Sequence, residues 1–331
     1  MADFFAFASA ESELVIAPGG IQRARVSDAP KGSIRLLRVT GIDVFLHWSW
    51  LIVAVYQIGE RQGEYSSLMW NTAEYLCLFL IVLLHEFGHA LACRQVGGRS
   101  ERIMLWPLGG VAYIQPPERA GAVLWSIVAG PLVNLVLIVP LAGLALIAGV
   151  LGWDESMPNA AHFIEMINFI NIGLLIFNLL PVYPLDGGQI LRALLWFFVG
   201  RARSLFIAAV VGFAGVAGLA ALALWMGSVW MGIMAFFVFT RCRFGWMQAR
   251  AMSAMEQASR RTGFSCPECH ATPPIGRMWR CSHCREPFDT FEARAECPKC
   301  HMQFPMTQCQ DCGLSHPIEE WETSAIAGSR E

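Results

Sequence analysis

The chain is short of charge. Only 15% of its 331 residues are Asp, Glu, Lys or Arg, against about 25% in an ordinary soluble domain, and this excludes a water-soluble globule with a normal surface. It also lacks an excess of either sign. With 24 basic and 26 acidic side chains the formal net charge is -2, so bulk electrostatics offers nothing to a polyanion and a nucleic-acid partner is not expected. A basic-then-apolar leader is missing as well: Asp3 interrupts the first apolar residues and the earliest basic residue is Arg23, the reverse of a secretory signal. Residues 1–33 are read as a flexible N-terminal segment. What the chain has in abundance is hydrophobicity, 55% of its residues with a positive mean hydropathy, and that surplus needs lipid around it.

Apolar runs fall at about 42–58, 72–94, 120–151, 162–180, 204–222 and 226–240, and about six transmembrane helices are expected. The run 204–240 is too long for one span, so a break near Gly227-Ser228 is expected; 120–151 reads as one long helix containing Pro131 and Pro140. Basic residues give the orientation. Arg23, Arg25, Lys31, Arg35 and Arg38 precede the first run, Arg94, Arg99 and Arg102 follow the second, Arg192, Arg201 and Arg203 follow the fourth, and Arg241, Arg243 and Arg250 follow the last. The loops 59–71 and 152–161 hold only Arg61 against Glu60, Glu64, Asp154 and Glu155. By the positive-inside rule both termini are cytoplasmic in a multi-pass protein of the cell (inner, cytoplasmic) membrane.

Inside the second run stands His85-Glu86-Phe87-Gly88-His89. On a helix His85 and His89 project from one face and reach one metal ion, and Glu86 lies beside it, placed to take a proton from metal-bound water. Ionisable groups at membrane depth are costly and need a reason. Two imidazoles are one ligand short of the three that a catalytic zinc takes. The segment Asn178-Leu179-Leu180-Pro181-Val182-Tyr183-Pro184-Leu185-Asp186-Gly187-Gly188 ends another apolar run with two prolines and two glycines. Such a break presents Asp186 to the protein interior, because irregular backbone at membrane depth must be enclosed by protein or line a cavity. Asp186 is therefore the leading third donor.

These two motifs together resemble the site-2 protease family of intramembrane zinc metalloproteases. The family carries a His-Glu-x-x-His helix and a later Asn-x-x-Pro-x-x-x-Leu-Asp-Gly segment, matched here by His85 to His89 and by Asn178, Pro181, Leu185, Asp186 and Gly187. Softer matches lie in Leu46-His47-Trp48-Ser49 and in Ala129-Gly130-Pro131-Leu132-Val133-Asn134. The resemblance implies a catalytic zinc on His85, His89 and Asp186, with Glu86 as general base and Asn178 near the substrate or its oxyanion. It also implies a membrane-protein substrate. Residues 101–114 read as two short strands around a Pro and Gly-Gly turn, a hairpin that in the family dips toward the active site; the alternative is an interfacial loop anchored by Trp106 and Tyr113.

After about residue 250 the composition changes. Cys266-x-x-Cys269, Cys281-x-x-Cys284, Cys297-x-x-Cys300 and Cys309-x-x-Cys312 form four knuckles, enough for two closed tetrahedral zinc sites. Sequential pairing is the simplest of three assignments: Cys266, Cys269, Cys281 and Cys284 on one structural zinc, Cys297, Cys300, Cys309 and Cys312 on the other. A disulfide framework needs an oxidising compartment, which the basic-residue pattern disfavours. Phe288, Phe291, Phe304 and Trp321 are read as either a contact surface for a protein partner or a small core. Cys77, Cys93 and Cys242 read as small apolar fillers. The expectation is thus an all-α polytopic membrane domain with a short membrane-associated β-hairpin over 34–250 and a cytoplasmic tandem zinc-ribbon domain over 251–331, with one catalytic and two structural zinc ions. Functionally it is an intramembrane metalloprotease whose ribbons regulate or select substrates. The alternatives are a catalytically silent membrane scaffold and a metal-handling membrane protein with a zinc-ribbon sensor.

Overall fold

The computed structural model describes residues 32–60, 63–106 and 109–323. The segment 1–33 lies outside these but for its last two residues, as does the Pro107 turn of the hairpin. The described chain divides into two compact units, one running to Ala251 and the other beginning at Met252.

The first unit opens on strands β1 (Ser33–Val39) and β2 (Ile42–His47). Helices α1 (Ser49–Glu60) and α2 (Leu68–Gln95) lead to β3 (Arg99–Trp106) and β4 (Gly109–Gln115). The strands form one sheet of order β1-β2-β3-β4, with β2 and β3 parallel and the outer pairs antiparallel. Then come α3 (Ala120–Val150), the single turn α4 (Trp153–Ser156), α5 (Pro158–Leu179), α6 (Asp186–Val199), α7 (Arg201–Met226) and α8 (Val229–Gln257).

Among the described residues four helices, α2, α3, α5 and α7, are long and apolar enough to cross a membrane. The chain is a multi-pass membrane protein, but the count of six is not reproduced. The run 42–58 mixes a strand with a helix of 12 residues, which rises about 18 Å against a hydrocarbon core of about 30 Å. Its alternating Ile42, Val44 and Leu46 carried a period of two that overall hydropathy hid. The run 226–240 is the apolar start of α8, whose later turns carry Arg241, Arg243 and Arg250. The expected break is present: α7 ends on Gly227 with φ 62°, a left-handed position that glycine takes without a Cβ penalty. Helix α3 runs unbroken through Pro131 and Pro140.

The domain is mostly helical, but its β structure is larger than one hairpin. The hairpin read at 101–114 is present as β3 and β4, but inside a four-stranded sheet. Ile42, Val44, Ile103 and Leu105 from β2 and β3 pack with Trp50 of α1 and Val82, Leu83 and Ala90 of α2. At the end of α2, Arg94 donates to the carbonyl oxygens of Gly41 and Ser100, tying the β1–β2 turn and β3 to the helix. The sheet thereby fixes the metal-motif helix.

In the second unit two hairpins, β5 (Trp279–Arg280) with β6 (Pro287–Phe288) and β7 (Thr307–Gln308) with β8 (Ser315–His316), are its only strands among the described residues. Its core is small. Trp279, Phe288, Phe291 and Trp321 are buried with four of the cysteines, and Phe291 packs edge-on against Trp279 and Trp321 at centroid distances of 5.4 and 5.2 Å. Phe288, Phe291 and Trp321 are therefore core and offer no surface to a partner; Phe304 is half-buried beside Phe288.

Candidate metal centres

Helix α2 places His85 and His89 one turn apart, and the break at 180–185 starts α6 with Asp186 against them. Asp186 Oδ2 lies 3.0 Å from His85 Nε2 and 3.3 Å from His89 Nε2, and the two imidazole Nε2 atoms are 3.1 Å apart. All three side chains are nearly enclosed.

The hydrogen bonds behind this triangle decide what it can hold. Asn171 Nδ2 donates to the backbone oxygen of Asn134, leaving its Oδ1 to accept from Asn134 Nδ2 at 2.9 Å. That turns Asn134 Oδ1 toward His85, whose Nδ1 is 2.6 Å away and must donate. His89 Nδ1 likewise donates to the backbone oxygen of Ser126 at 2.9 Å. With both Nδ1 atoms protonated, both Nε2 atoms carry lone pairs, as does the carboxylate. Three lone-pair donors crowded to 3.0–3.3 Å repel one another unless a cation sits among them, and Asp186 Oδ2 has no hydrogen bond of acceptable geometry among the described residues. Two imidazoles and one carboxylate form the donor set of a catalytic zinc. The residues fit the ion.

Glu86 is buried beside this triangle and is not one of its donors. Its Oε2 accepts the backbone N–H of Ala112 in β4 at 2.8 Å. β4 presses close, where a Cβ on Gly110 would come within 2.3 Å of Glu86 Cγ, and so does α3, where one on Gly130 would come within 2.2 Å of His89 Nε2. Glycine is required where strand β4 and helix α3 approach α2 so tightly. Asn178, on the last turn of α5, is half-buried and makes no hydrogen bond to the cluster among the described residues.

Asn171, Ser126 and Ala112 escape a reading of the sequence, and Asn134 enters it only as the end of the softer Ala129 to Asn134 match, without its role. Asn134 and Asn171 are fully buried polar residues in apolar helices, and that was their available signal: an amide at membrane depth needs a partner. Asn134→Leu removes the acceptor that holds His85 in one tautomer. It is expected to weaken metal binding at this centre about 10- to 100-fold, checked by competition with a chelator of known affinity; unchanged affinity would show that His85 orients itself.

The cysteines of the second unit gather in two nested groups: Cys266, Cys269, Cys309 and Cys312 in one, Cys281, Cys284, Cys297 and Cys300 in the other. This corrects the sequential pairing. Spacing along the chain fixes each knuckle but not which knuckles meet, and here the second and third meet each other, as do the first and fourth. Closest sulfurs are 3.7 Å apart in the outer group and 3.5 and 3.6 Å apart in the inner one. A disulfide needs about 2.05 Å, whereas thiolates sharing a tetrahedral zinc at about 2.3 Å stand about 3.8 Å apart. The knuckles are built alike. In each, the residue four past the first cysteine (His270, Arg285, His301, Gly313) returns its N–H to that cysteine's carbonyl and adopts a positive φ. Burial opposes ionisation of Cys281, but the N–H groups of Cys284 and His283 and the neighbouring thiols of Cys300 and Cys284 outweigh it and bring its thiol down to about 7.

A helical bundle thus converges two histidines of a His-Glu-x-x-His helix and a distant aspartate on one point, a three-donor set suited to a catalytic metal ion. Residues 73–222 match Peptidase family M50. The chain is 34% identical over 180 residues to Zinc metalloprotease MJ0392 of Methanocaldococcus jannaschii, covering 54% of this chain and 50% of that protein. It is 30% identical over 233 residues to Putative zinc metalloprotease Rip3 of Mycobacterium tuberculosis, covering 64% and 58%. It is 35% identical over 147 residues to Stage IV sporulation protein FB of Bacillus subtilis, covering 43% of each. Among solved structures it is similar to the Site-2 Protease from Methanocaldococcus jannaschii, with a TM-score of 0.50, 28% identity, and coverage of 65% of this chain and 95% of that one. The resemblance to the site-2 protease family therefore holds in sequence and in fold. The chain spans about half the length of the curated relatives it matches.

Proposed function

We propose that this protein is an intramembrane zinc metalloendopeptidase that hydrolyses peptide bonds in or near transmembrane segments of other membrane proteins. The carrying observation is the convergence of His85, His89 and Asp186 within 4.8 Å of one another, beside a carboxylate that is not a ligand. Zinc held by these three residues supplies Lewis acidity and an acidified water. Glu86 takes the proton from the attacking water and passes it to the leaving amine, with Ala112 N–H and Gly110 holding its carboxylate in place. Asn178, on the turn before the loop that carries Asp186, is assigned to the developing oxyanion. β4 is an edge strand lying against Glu86, so an extended substrate beside it would present its peptide bonds to the base, which a helix conceals within its own hydrogen bonds.

The cysteine-rich unit, with two structural zinc ions, is assigned to regulating or selecting substrates. No water-accessible coordination position remains on four thiolates, so it takes no part in hydrolysis. The positive-inside pattern assigns both termini to the cytoplasmic side of the cell membrane. The test is incubation of the purified, zinc-loaded chain in detergent or vesicles with a panel of single-span membrane proteins, followed by mass spectrometry of the product ends. Cuts inside or at the border of the apolar segment, stopped by chelation and restored by zinc, are expected. A fully zinc-loaded chain that cuts none of them would favour a silent scaffold or metal-handling role.

A further inference from the structure

The break between α5 and α6 is irregular backbone between two apolar helices, and it leads directly into the third metal donor, Asp186, at the start of α6. Irregular backbone at this depth has to be enclosed by protein. Its own bonds are few: Val182 N–H to Leu180 O at 2.7 Å and Leu185 N–H to Val182 O at 2.9 Å. Gln189 binds it to the first turn of α6 through its backbone N–H to Leu185 O and its side-chain amide to Pro184 O, at 3.0 and 3.1 Å. The loop and the start of α6, Asp186 included, therefore move together.

Gly188 of α6 packs on the loop backbone, where a Cβ would come within 2.4 Å of Tyr183 N, and further contacts come from α7 and α8. Cys242 of α8 is completely buried and its thiol donates to Tyr183 O at 2.8 Å, so it does more than fill space. Around that bond lie three glycines. A Cβ on Gly215 would come within 2.3 Å of Val182 Cγ2, one on Gly245 within 2.8 Å of Tyr183 Cε1, and one on Gly212 within 2.6 Å of Cys242 Sγ and 3.0 Å of Tyr183 O. Val182 and Tyr183 thus sit in a cradle cut to their shape, four and three residues before Asp186. Cys242 and Gly245 lie beyond the residues that match Peptidase family M50.

We propose that Gly212, Gly215, Cys242 and Gly245 are positioning residues for the metal centre: a socket on α7 and α8 whose fit to Val182 and Tyr183 sets where Asp186 meets His85 and His89. The proposal rests on the reading of Asp186 as a metal ligand. A side chain added to the socket lifts the loop, and Asp186 leaves the triangle while both histidines stay on α2. Trimming the loop residue that was struck lets it settle back.

The test is cobalt binding by the full chain. Cobalt on thiolates gives sulfur-to-metal charge-transfer bands, which a site of two histidines and an aspartate does not, so the centres are read separately in one sample and the cysteine sites report folding. Gly215→Ala is expected to bind cobalt at the histidine–aspartate centre about tenfold more weakly than the parent, and Gly215→Ala with Val182→Ala to recover most of the loss. Cys242→Ser, which keeps a donor for Tyr183 O, is expected to bind as the parent does, and Cys242→Ala more weakly. Parental affinity in both Gly215→Ala and Cys242→Ala, or a double variant no better than Gly215→Ala, would overturn the socket. Parental affinity in Asp186→Ala would instead withdraw the metal reading beneath it. Should Gly215→Ala fail to fold, Gly245→Ala with and without Tyr183→Leu makes the same comparison.

Discussion

Glu86→Gln is expected to lower peptide cleavage by about a thousandfold while leaving the zinc at His85, His89 and Asp186 in place. A positioned general base contributes typically 10²- to 10⁴-fold, and about a thousandfold corresponds to about 4 kcal/mol of transition-state stabilisation. Glutamine has nearly the volume of glutamate and keeps an oxygen for the N–H of Ala112, so the packing of β4 on α2 survives. What it loses is the capacity to take a proton. The measurement is cleavage of one substrate by parent and variant at equal metal content. Undiminished cleavage would remove Glu86 from the reaction, and loss of metal together with cleavage would make it a ligand.

The chemistry was far more legible in the sequence than its supports. His85, Glu86 and His89 declare themselves because four residues make one helical turn, and Asp186 because two prolines and two glycines in an apolar run demand enclosure. The structure brings His85, His89 and Asp186 together. The elements that hold them were not legible. Strand β2 merged with α1 into one apolar stretch, since hydropathy averaged over a window erases a period of two. Helix α6 went unread as a separate element; of its 14 residues, Gly187, Gly188, Gln189 and Arg192 broke the apolar pattern. Asn134 and Asn171 lie 37 residues apart and meet only through helix packing, as do Cys242 and Tyr183. Contacts of that range depend on which helices become neighbours, and no local pattern records it.

Paired cysteine substitutions in the second unit are expected to separate nested from sequential zinc sites by counting ions. In the nested arrangement Cys266 and Cys309 share one site, so Cys266→Ser with Cys309→Ser costs a single structural zinc, whereas Cys266→Ser with Cys281→Ser damages both sites and costs two. Sequential pairing predicts the reverse. The effect should be large because this unit has little else to hold it: two hairpins of two-residue strands and a core of a few aromatic side chains. Closed zinc sites of this kind supply about 10–16 kcal/mol of apparent binding free energy, beyond the stability of many whole domains. Losing both should unfold the unit, seen as proteolytic release of the residues after about Arg261, while losing one should leave the other hairpin protected. Zinc content by elemental analysis and limited proteolysis of the same samples decide the matter: two ions lost from the Cys266/Cys309 variant would contradict the sulfur positions from which the nested pairing was argued, and one ion lost from the Cys266/Cys281 variant would then restore the sequential pairing.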